Sequence, residues 1–163
     1  MDKENNIIEK GKDLFAQACY KEAENDFRQV LQLNPDNAQA HFELGKIYYI
    51  QKRLPEAIEE LAKAIVLDSG HIDANFLLGK SYKETDRYQE AIQEFMRALE
   101  LGYDSQDIHV ELYAIYRDLN QFTQAAEQLK KALNKGYGKE RYEADLKGIY
   151  RGQMRLIGSY NFE

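Results

Sequence analysis

Residues 38–71, AQAHFELGKIYYIQKRLPEAIEELAKAIVLDSGH, carry the pattern from which most of the chain is built. Gly45 recurs at the same interval on either side, as Gly11 and Gly79. An alanine row and a row of phenylalanine or leucine keep the same spacing, at Ala23, Ala57, Ala91, Ala125 and at Phe27, Leu61, Phe95, Leu129. A fixed period of about 34 residues is typical of stacked repeat proteins.

Each copy of the pattern predicts two α-helices. In the quoted stretch, Leu44 and Tyr48 lie four residues apart and so share one face of a first helix. Ala57 and Leu61 do the same for a second helix, and Pro55 suits its first turn. The apolar stripes are narrow, so each helix must bury its stripe against a neighbouring helix.

Counting outward from this stretch divides the chain into equal parts. The predicted repeats are 4–37, 38–71, 72–105 and 106–139. The remaining residues are predicted to form a C-terminal helix over 140–158. No linker or low-complexity segment interrupts the array, so we expect one all-α domain over 1–163.

Small residues in both helices predict close packing within each repeat. Glycine inside a helix costs about 1 kcal/mol relative to alanine, so its repetition implies that a side chain would hinder packing there. We expect the glycines to face the alanine row of the second helix. Tyr113 takes the place of glycine in the fourth repeat, and we expect that helix pair to be splayed or shifted.

Composition excludes several classes of function. The formal charge is −6 and no long basic block is present, which argues against nucleic-acid binding. No apolar run is long enough to span a bilayer, and the N-terminal sequence does not resemble a signal peptide. The single cysteine, Cys19, cannot form an internal disulfide. A reducing, cytoplasmic location is therefore expected.

At these positions the chain resembles the tetratricopeptide repeat. The resemblance covers 4–139 without insertion or deletion and includes the apolar, small and aromatic positions named above. The tryptophan common near the start of that family's repeat is absent, and its late proline is present only as Pro35. The resemblance implies a right-handed α-solenoid of four helix-turn-helix repeats, each of about 34 residues, with a C-terminal capping helix. Members of the family typically bind peptides or protein segments and are not enzymes.

The same resemblance predicts which residues line the concave groove formed by the first helices. They are Ile8, Lys12, Phe15, Phe42, Lys46, Tyr49, Phe76, Lys80, Lys83, Val110 and Arg117. An apolar row beside a row of lysines suits a protein segment that carries apolar and acidic residues. The alternative is that Ile8, Phe42, Phe76 and Val110 belong to the core and that the lysines are simply solvated.

Some members of the family hold a chaperone's C-terminal carboxylates in a clamp of lysine, asparagine and arginine. The corresponding places hold Ile8, Lys12, Glu43, Asp73 and Leu77, and none is the type required at its own place, since Lys12 stands where the clamp has asparagine. Glu43 and Asp73 would repel a carboxylate, so we predict that chaperone tails are not bound in this way.

The sequence indicates neither a catalytic nor a metal site, and no cofactor is expected. His41 and His109 occupy equivalent places two repeats apart, too distant to share a metal whose ligands lie about 2 Å from it. These two and His71 are predicted to be isolated and partly exposed. Cys19 has no obvious activating partner in the sequence.

The C-terminal segment favours a cap but leaves a second possibility open. Six residues suit one face of a helix: Tyr142, Leu146, Ile149, Tyr150, Met154 and Ile157. Lys147, Arg151 and Arg155 form a basic strip beside them, and Gly148, Gly152 and Gly158 are expected to weaken the helix. The alternative to a cap is a homo-oligomeric scaffold that assembles through this helix and the groove of another copy.

Overall fold

The computed structural model describes the backbone of residues 2–160 and the side chains of 3–155. Within those limits the chain forms nine α-helices, short turns and no strand, which confirms the all-α helical repeat fold. The helices are α1 (Asp2–Ala16), α2 (Tyr20–Leu33), α3 (Ala38–Ile50), α4 (Leu54–Leu67), α5 (Ile72–Glu84), α6 (Tyr88–Glu100), α7 (Gln106–Asp118), α8 (Phe122–Asn134) and α9 (Lys139–Tyr160). The starts of α2, α4, α6 and α8 are spaced by the same period as the glycines and alanines of the sequence.

Side-chain caps begin three of the first helices. The side chains of Asn37, His71 and Ser105 accept a hydrogen bond from the backbone N–H three residues further on. Each cap satisfies one of the N–H groups that the first turn of a helix leaves without a partner. The period of the sequence therefore fixes helix starts as well as helix faces.

In each repeat, the turn between the two helices contains one residue in the left-handed region of backbone conformation, and that residue is not glycine. Ala18, Lys52, Asp86 and Asn120 have φ between 57° and 60°. The next residue donates its N–H back to the carbonyl five residues earlier, as Arg53 does to Tyr48 at 2.9 Å. This hydrogen bond is part of a Schellman motif, in which the residue with left-handed backbone conformation is usually glycine. Because none of the four residues is glycine, the turn carries no glycine signal in the sequence.

The regular spacing of small residues has a packing reason that differs from the expected one. A Cβ on Gly11 would lie 2.8 Å from the ring of Phe27, and one on Gly45 would lie 2.6 Å from Leu61 Cγ. At Gly79 the obstacles are the Phe95 ring at 2.8 Å and then a backbone oxygen of the alanine row at 3.2 Å. The glycines thus make room mainly for the large side chain of the second helix and not for the alanine row.

Contacts divide the chain into two compact units, each with its own core. The first, Met1–Leu101, contains α1 to α6, and the second, Gly102–Glu163, contains α7 to α9. In the first unit each pair of consecutive helices packs together, and α3 also contacts both α1 and α5. Phe27, Leu61 and Phe95 are fully buried in it. The first helices α1, α3 and α5 are therefore adjacent.

The second unit shows what α9 covers. Tyr113 is buried with Ala125 and Leu129, and α7 still packs directly on α8, so the expectation of a splayed pair is wrong. Ile149 of α9 is buried in the same cluster. A Cβ on Gly152 would lie 2.7 Å from the Phe122 ring, so this glycine permits close packing.

Not all of the residues predicted to form the apolar face of α9 pack against the core, so that prediction is wrong in part. Tyr142, Leu146 and Ile149 pack against the cluster around Leu129. Tyr150 and Met154 do not, and they are 58% and 68% exposed. The side chain of Ile157 lies outside the described residues.

Candidate functional site

A row of alternating lysines and aromatic rings crosses α1, α3 and α5. Lys46 of α3 places its Nζ 4.5 Å from the ring centre of Phe15 on α1 and 5.2 Å from that of Phe42 on its own helix. Both distances are within the reach of a cation–π contact. One ammonium group therefore links two adjacent repeats.

The same arrangement recurs one repeat later. Lys80 of α5 lies 5.6 Å from the ring centre of Tyr49 on α3 and 5.7 Å from that of Phe76 on α5. We call these six residues the lysine–aromatic row: Phe15, Phe42, Lys46, Tyr49, Phe76 and Lys80. The regularity follows from the period, because each lysine lies four residues after one ring and its second ring comes from the preceding repeat.

The lysines carry carboxylate partners that sequence reasoning did not assign. Lys46 Nζ donates to Glu43 Oε2 at 2.7 Å, and the side chain of Glu43 is only 4% exposed. Gln39 donates to the other oxygen of Glu43 at 2.8 Å. Lys12 is paired with the exposed Glu9 at 2.9 Å. Lys46 therefore neutralises a buried carboxylate as well as facing the rings.

The residues of the predicted apolar row differ in burial. Ile8 and Phe42 are 6% and 7% exposed and belong to the core clusters, so they offer almost no surface to a ligand. Phe76 is half-buried and its ring centre lies 5.6 Å from that of Phe95. Phe15 and Tyr49 are half-buried. The accessible apolar surface of the row comes from these three rings.

A second link between α3 and α5 was not foreseen from the sequence. Tyr49 donates its hydroxyl to Glu84 Oε1 at 2.6 Å, and Lys52 donates to Glu84 Oε2 at 2.6 Å. Burial works against ionisation of Glu84, but the bonds from Lys52 and Tyr49 outweigh it and lower the pKa of this carboxyl. In the sequence, this tyrosine and this glutamate are separated by one repeat period plus one residue. Because successive repeats stack on each other, that separation makes the two residues neighbours, and it is the feature of the sequence that could have revealed the pair.

The remaining predicted site residues lie beyond the row. Lys83 is half-buried on α5, one turn after Lys80. Val110 packs against the core of the second unit. Arg117 is paired with Asp118 at 2.8 Å and lies 5.6 Å from the Tyr113 ring centre. Val110 and Arg117 belong to the second unit, whereas the lysine–aromatic row lies in the first.

The histidines are part of the fold, and the expectation of exposed, isolated rings is wrong for two of them. His41 is buried, with Nδ1 2.6 Å from Glu60 and Nε2 2.9 Å from the Pro35 carbonyl oxygen. His109 is buried in the equivalent place. Its Nδ1 lies 2.8 Å from Gln128 Oε1 and its Nε2 2.9 Å from Asp104 Oδ1.

His71 is half-buried, caps α5 and packs against the Phe42 ring. Among the residues whose side chains are described, no three histidine, cysteine or acidic groups lie close enough together to hold a metal ion.

Comparison with known families and structures places the fold among the repeat proteins. Two family models, both described as tetratricopeptide repeat, match residues 8–72 and 72–101. A crystal structure of MamA protein aligns with a TM-score of 0.85 and 25% identity, covering 92% of this chain and 82% of that one.

Two further solved structures share the fold at lower identity. YrrB, described as a TPR protein with an unusual peptide-binding site, aligns with a TM-score of 0.82 and 17% identity, covering 91% of this chain and 76% of that one. The first TPR of Spaghetti (RPAP3), bound to the HSP90 peptide SRMEEVD, aligns with a TM-score of 0.70 and 24% identity. The alignment covers 72% of this chain and 94% of that one. A comparison with curated protein sequences gave no significant match.

A helix that spans a bilayer must be both long and apolar. None of the helices in the described part of the chain combines the length and the apolar character that a bilayer span requires.

Proposed function

The chain belongs to the tetratricopeptide repeat family, and from that premise we propose that it is a non-catalytic scaffold that binds a protein segment along α1, α3 and α5. The observation that carries the proposal is the lysine–aromatic row. Two ammonium groups each lie near rings on two adjacent helices, so the same arrangement is repeated from α1 to α3 and from α3 to α5. Solved structures of the same fold are described with a peptide-binding site or a bound peptide.

The row suits a segment with both apolar and acidic side chains. Phe15, Tyr49 and Phe76 offer flat apolar faces, which supply affinity through burial. Lys46 and Lys80 lie close to those rings and would steer a carboxylate and set its register. Because Glu43 already neutralises Lys46, we assign the larger share of the affinity to the rings.

A binding selection tests this proposal directly. The full chain is immobilised and used to select binders from a random library of short peptides. A selected peptide is then measured against Tyr49→Ser and against Tyr88→Ser, a half-buried tyrosine on α6 whose hydroxyl also donates to a carboxylate. We expect Tyr49→Ser to weaken binding at least about tenfold, equivalent to about 1.4 kcal/mol, and Tyr88→Ser to have no effect.

The outcome that would contradict the proposal is equal binding of the peptides to both variants. Lys80→Glu separates the two parts of the surface. An acidic peptide should lose affinity and salt dependence with this variant, whereas loss of neither would remove the lysines from the site. Circular dichroism on each variant establishes that the helices are retained.

Two further parts of the proposal concern specificity and location. We propose that chaperone C-terminal tails are not held in a carboxylate clamp, since the clamp places include buried Ile8 and the buried carboxylate of Glu43. Cys19 is a free thiol, in keeping with the reducing compartment proposed for the protein, the cytoplasm. Neither nucleic acid nor a cofactor is proposed as a ligand.

A further inference from the structure

The distal part of α9 presents an apolar pair beside a basic strip. Tyr150 and Met154 are exposed and lie four residues apart, so they share one face of the helix. Lys147, Arg151 and Arg155 are exposed at the same spacing on the adjoining face. The cap function of α9 explains Ile149 and Gly152, but it does not use any of these five residues.

The charges of the two parts of the chain are complementary. Residues 146–160 contain three basic residues and no acidic one, whereas residues 1–138 contain 17 lysines and arginines against 24 aspartates and glutamates. The basic strip of α9 is thus attracted by the body of another copy of the same chain.

A pocket that could receive apolar side chains lies between the turn after α2 and the second half of α4. Its volume is about 560 Å³, within the range of pockets that accept small ligands or several side chains. Its lining is mainly apolar: Pro35, Asp36, His41, Ala62, Lys63, Val66 and Leu67. Val66 is 84% exposed and Leu67 is 40% exposed.

The other repeats act as internal controls for this pocket. The places equivalent to Val66 hold Gln32, Glu100 and Asn134, all polar, and the place equivalent to Pro35 holds Tyr137 in the fourth repeat. Tyr137 is buried in the cluster of α7, α8 and α9, and its hydroxyl donates to Asp145. An exposed valine at this place is therefore a property of the second repeat and not of every repeat.

The edge of the pocket is acidic on balance. Asp36 lines it directly. Lys63, the basic residue of the lining, is already bonded to Glu59 at 2.7 Å and to Glu60 at 3.0 Å. Cations arriving at this edge would meet more carboxylates than ammonium groups.

We infer that this pocket receives Tyr150 and Met154 from α9 of a second copy of the chain. Arg151 and Arg155 lie beside them, where they would face the acidic edge. The donor helix and the receptor pocket are different surfaces, so the contact is heterologous. The chain at one end of the assembly keeps an unused α9, and the chain at the other end keeps an unused pocket. Association is then head to tail and continues beyond two copies. The inference does not depend on the proposed binding of a segment by the lysine–aromatic row.

Sedimentation velocity and light scattering on the full chain test the inference. Wild-type protein should grow past the mass of two chains as its concentration rises to about 1 mM, a range in which weak heterologous contacts are populated. Val66→Lys and Met154→Asp each place a charge on an exposed side chain, so both variants should fold, and each charge opposes the proposed contact, so both should remain monomeric. Met96→Asp, at another exposed methionine, is the matched control and should associate like the wild type.

Mixing the two variants separates a head-to-tail contact from a symmetric one. Val66→Lys retains an unchanged α9, and Met154→Asp retains an unchanged pocket. An equal mixture should form complexes of two chains, in which α9 of the Val66 variant occupies the pocket of the Met154 variant. These complexes should not grow further, because the pocket of the Val66 variant and α9 of the Met154 variant both carry a disruptive charge. A symmetric contact would not be restored by mixing, and that result would overturn the inference.

Three other results would also overturn it. One is a wild-type protein that stays monomeric over the whole concentration range. The second is association that Tyr49→Asp abolishes and Val66→Lys does not, since the receptor would then be the lysine–aromatic row. The third is a monomer whose α9 binds vesicles of phosphatidylglycerol and phosphatidylcholine, with Arg151→Glu abolishing that binding, because the basic strip would then serve a lipid surface.

Discussion

Lys46 lies over the ring of Phe15, with its Nζ 4.5 Å from the ring centre, and so joins α3 to α1 across the repeat boundary. The same nitrogen donates to Glu43, whose carboxylate is almost completely buried. One side chain therefore has two tasks, since it compensates a buried charge and lies on the proposed binding surface. A substitution of Lys46 will change stability as well as affinity, and the two effects must be measured separately.

Lys46→Met is expected to lower the free energy of unfolding by about 1–3 kcal/mol. Methionine keeps the apolar stem over Phe15 but leaves the Glu43 carboxylate with fewer donors, and an incompletely satisfied buried group costs about that much. Urea denaturation followed by circular dichroism measures the change. Adding Glu43→Gln to Lys46→Met should restore most of the loss, because no buried charge then remains.

Lys12→Met is the control for that prediction. Lys12 is paired with Glu9, which is 70% exposed, and exposed pairs contribute about 0–1 kcal/mol. A loss as large for Lys12→Met as for Lys46→Met would show that burial of Glu43 is not the cause.

The period predicts the fold and the places of the helices, but it does not predict burial. Repeat counting identified the first helices and placed Lys46 and Lys80 in equivalent positions. It treated Phe42 and Phe76 as equals, although Phe42 is buried and Phe76 is half-buried. Exposure depends on the side chains of both neighbouring helices, and these differ from repeat to repeat.

Polar partners were hard to predict for a related reason. Each is a pair between different positions of the repeat, such as His41 with Glu60 and Tyr49 with Glu84. A pattern of single positions shows which residue types recur, but not which two of them touch. The exposed apolar pair on α9 was missed because helical spacing alone assigned Met154 to the packed face.

Gly45→Ala is expected to destabilise the protein by about 1–3 kcal/mol, the usual cost of overpacking a core. The new Cβ would lie 2.6 Å from Leu61 Cγ and 3.3 Å from the Leu61 backbone nitrogen, so the fully buried Leu61 side chain must shift and the α4 backbone is in tight contact. Thermal and urea unfolding both report the change.

Gly148→Ala provides the opposite expectation in the same protein. No atom beyond its own helix lies within 4 Å of the added Cβ, and the residue is in the interior of α9. Alanine should then raise the stability of the second unit by up to about 1 kcal/mol through helix propensity. If both alanine variants are destabilised alike, close packing is not what requires glycine at Gly45.

Ala18→Gly is expected to raise the free energy of unfolding by about 0.5 kcal/mol. Ala18 has a φ of 60°, a region that costs a residue with a Cβ about 1–2 kcal/mol, and glycine gives back part of the gain through the entropy of the unfolded chain. Asn120→Gly, at the equivalent φ of 57°, should have a smaller effect because asparagine tolerates this region. Urea unfolding of each variant measures the difference.

Ala18→Val supplies the opposing test at the same turn. It should destabilise by more than about 1 kcal/mol, since β-branched residues are strongly disfavoured in the left-handed region. Stability unchanged by both substitutions of Ala18 would mean that the turn relaxes to another conformation.

Glu94→Gln is expected to stabilise the protein at neutral pH by about 0.5–1.5 kcal/mol, the net value of one hydrogen bond. Glu94 and Asn75 occupy the places where Gln128 and His109 meet in the fourth repeat. Among the described residues, Asn75 Oδ1 is a buried side-chain oxygen without a protein hydrogen-bond partner, and a glutamine amide could donate to it.

The pH dependence separates this explanation from a general effect of charge. Burial raises the pKa of Glu94 above its ordinary value of 4.5. A raised pKa means that the stability contributed by the protonated carboxyl is fully present below the unfolded-state pKa and is lost as pH rises through the folded-state value. The advantage of Glu94→Gln should therefore be large at pH 7 and small near pH 4, as measured by urea unfolding at each pH.

Glu60→Gln is the matched control for the Glu94 substitution. It should lose stability at pH 7, because the Glu60 carboxylate already accepts a hydrogen bond from Lys63 and lies 2.6 Å from His41 Nδ1. An advantage of Glu94→Gln that is the same at both pH values would show that neither burial of the charge nor the oxygen of Asn75 is involved.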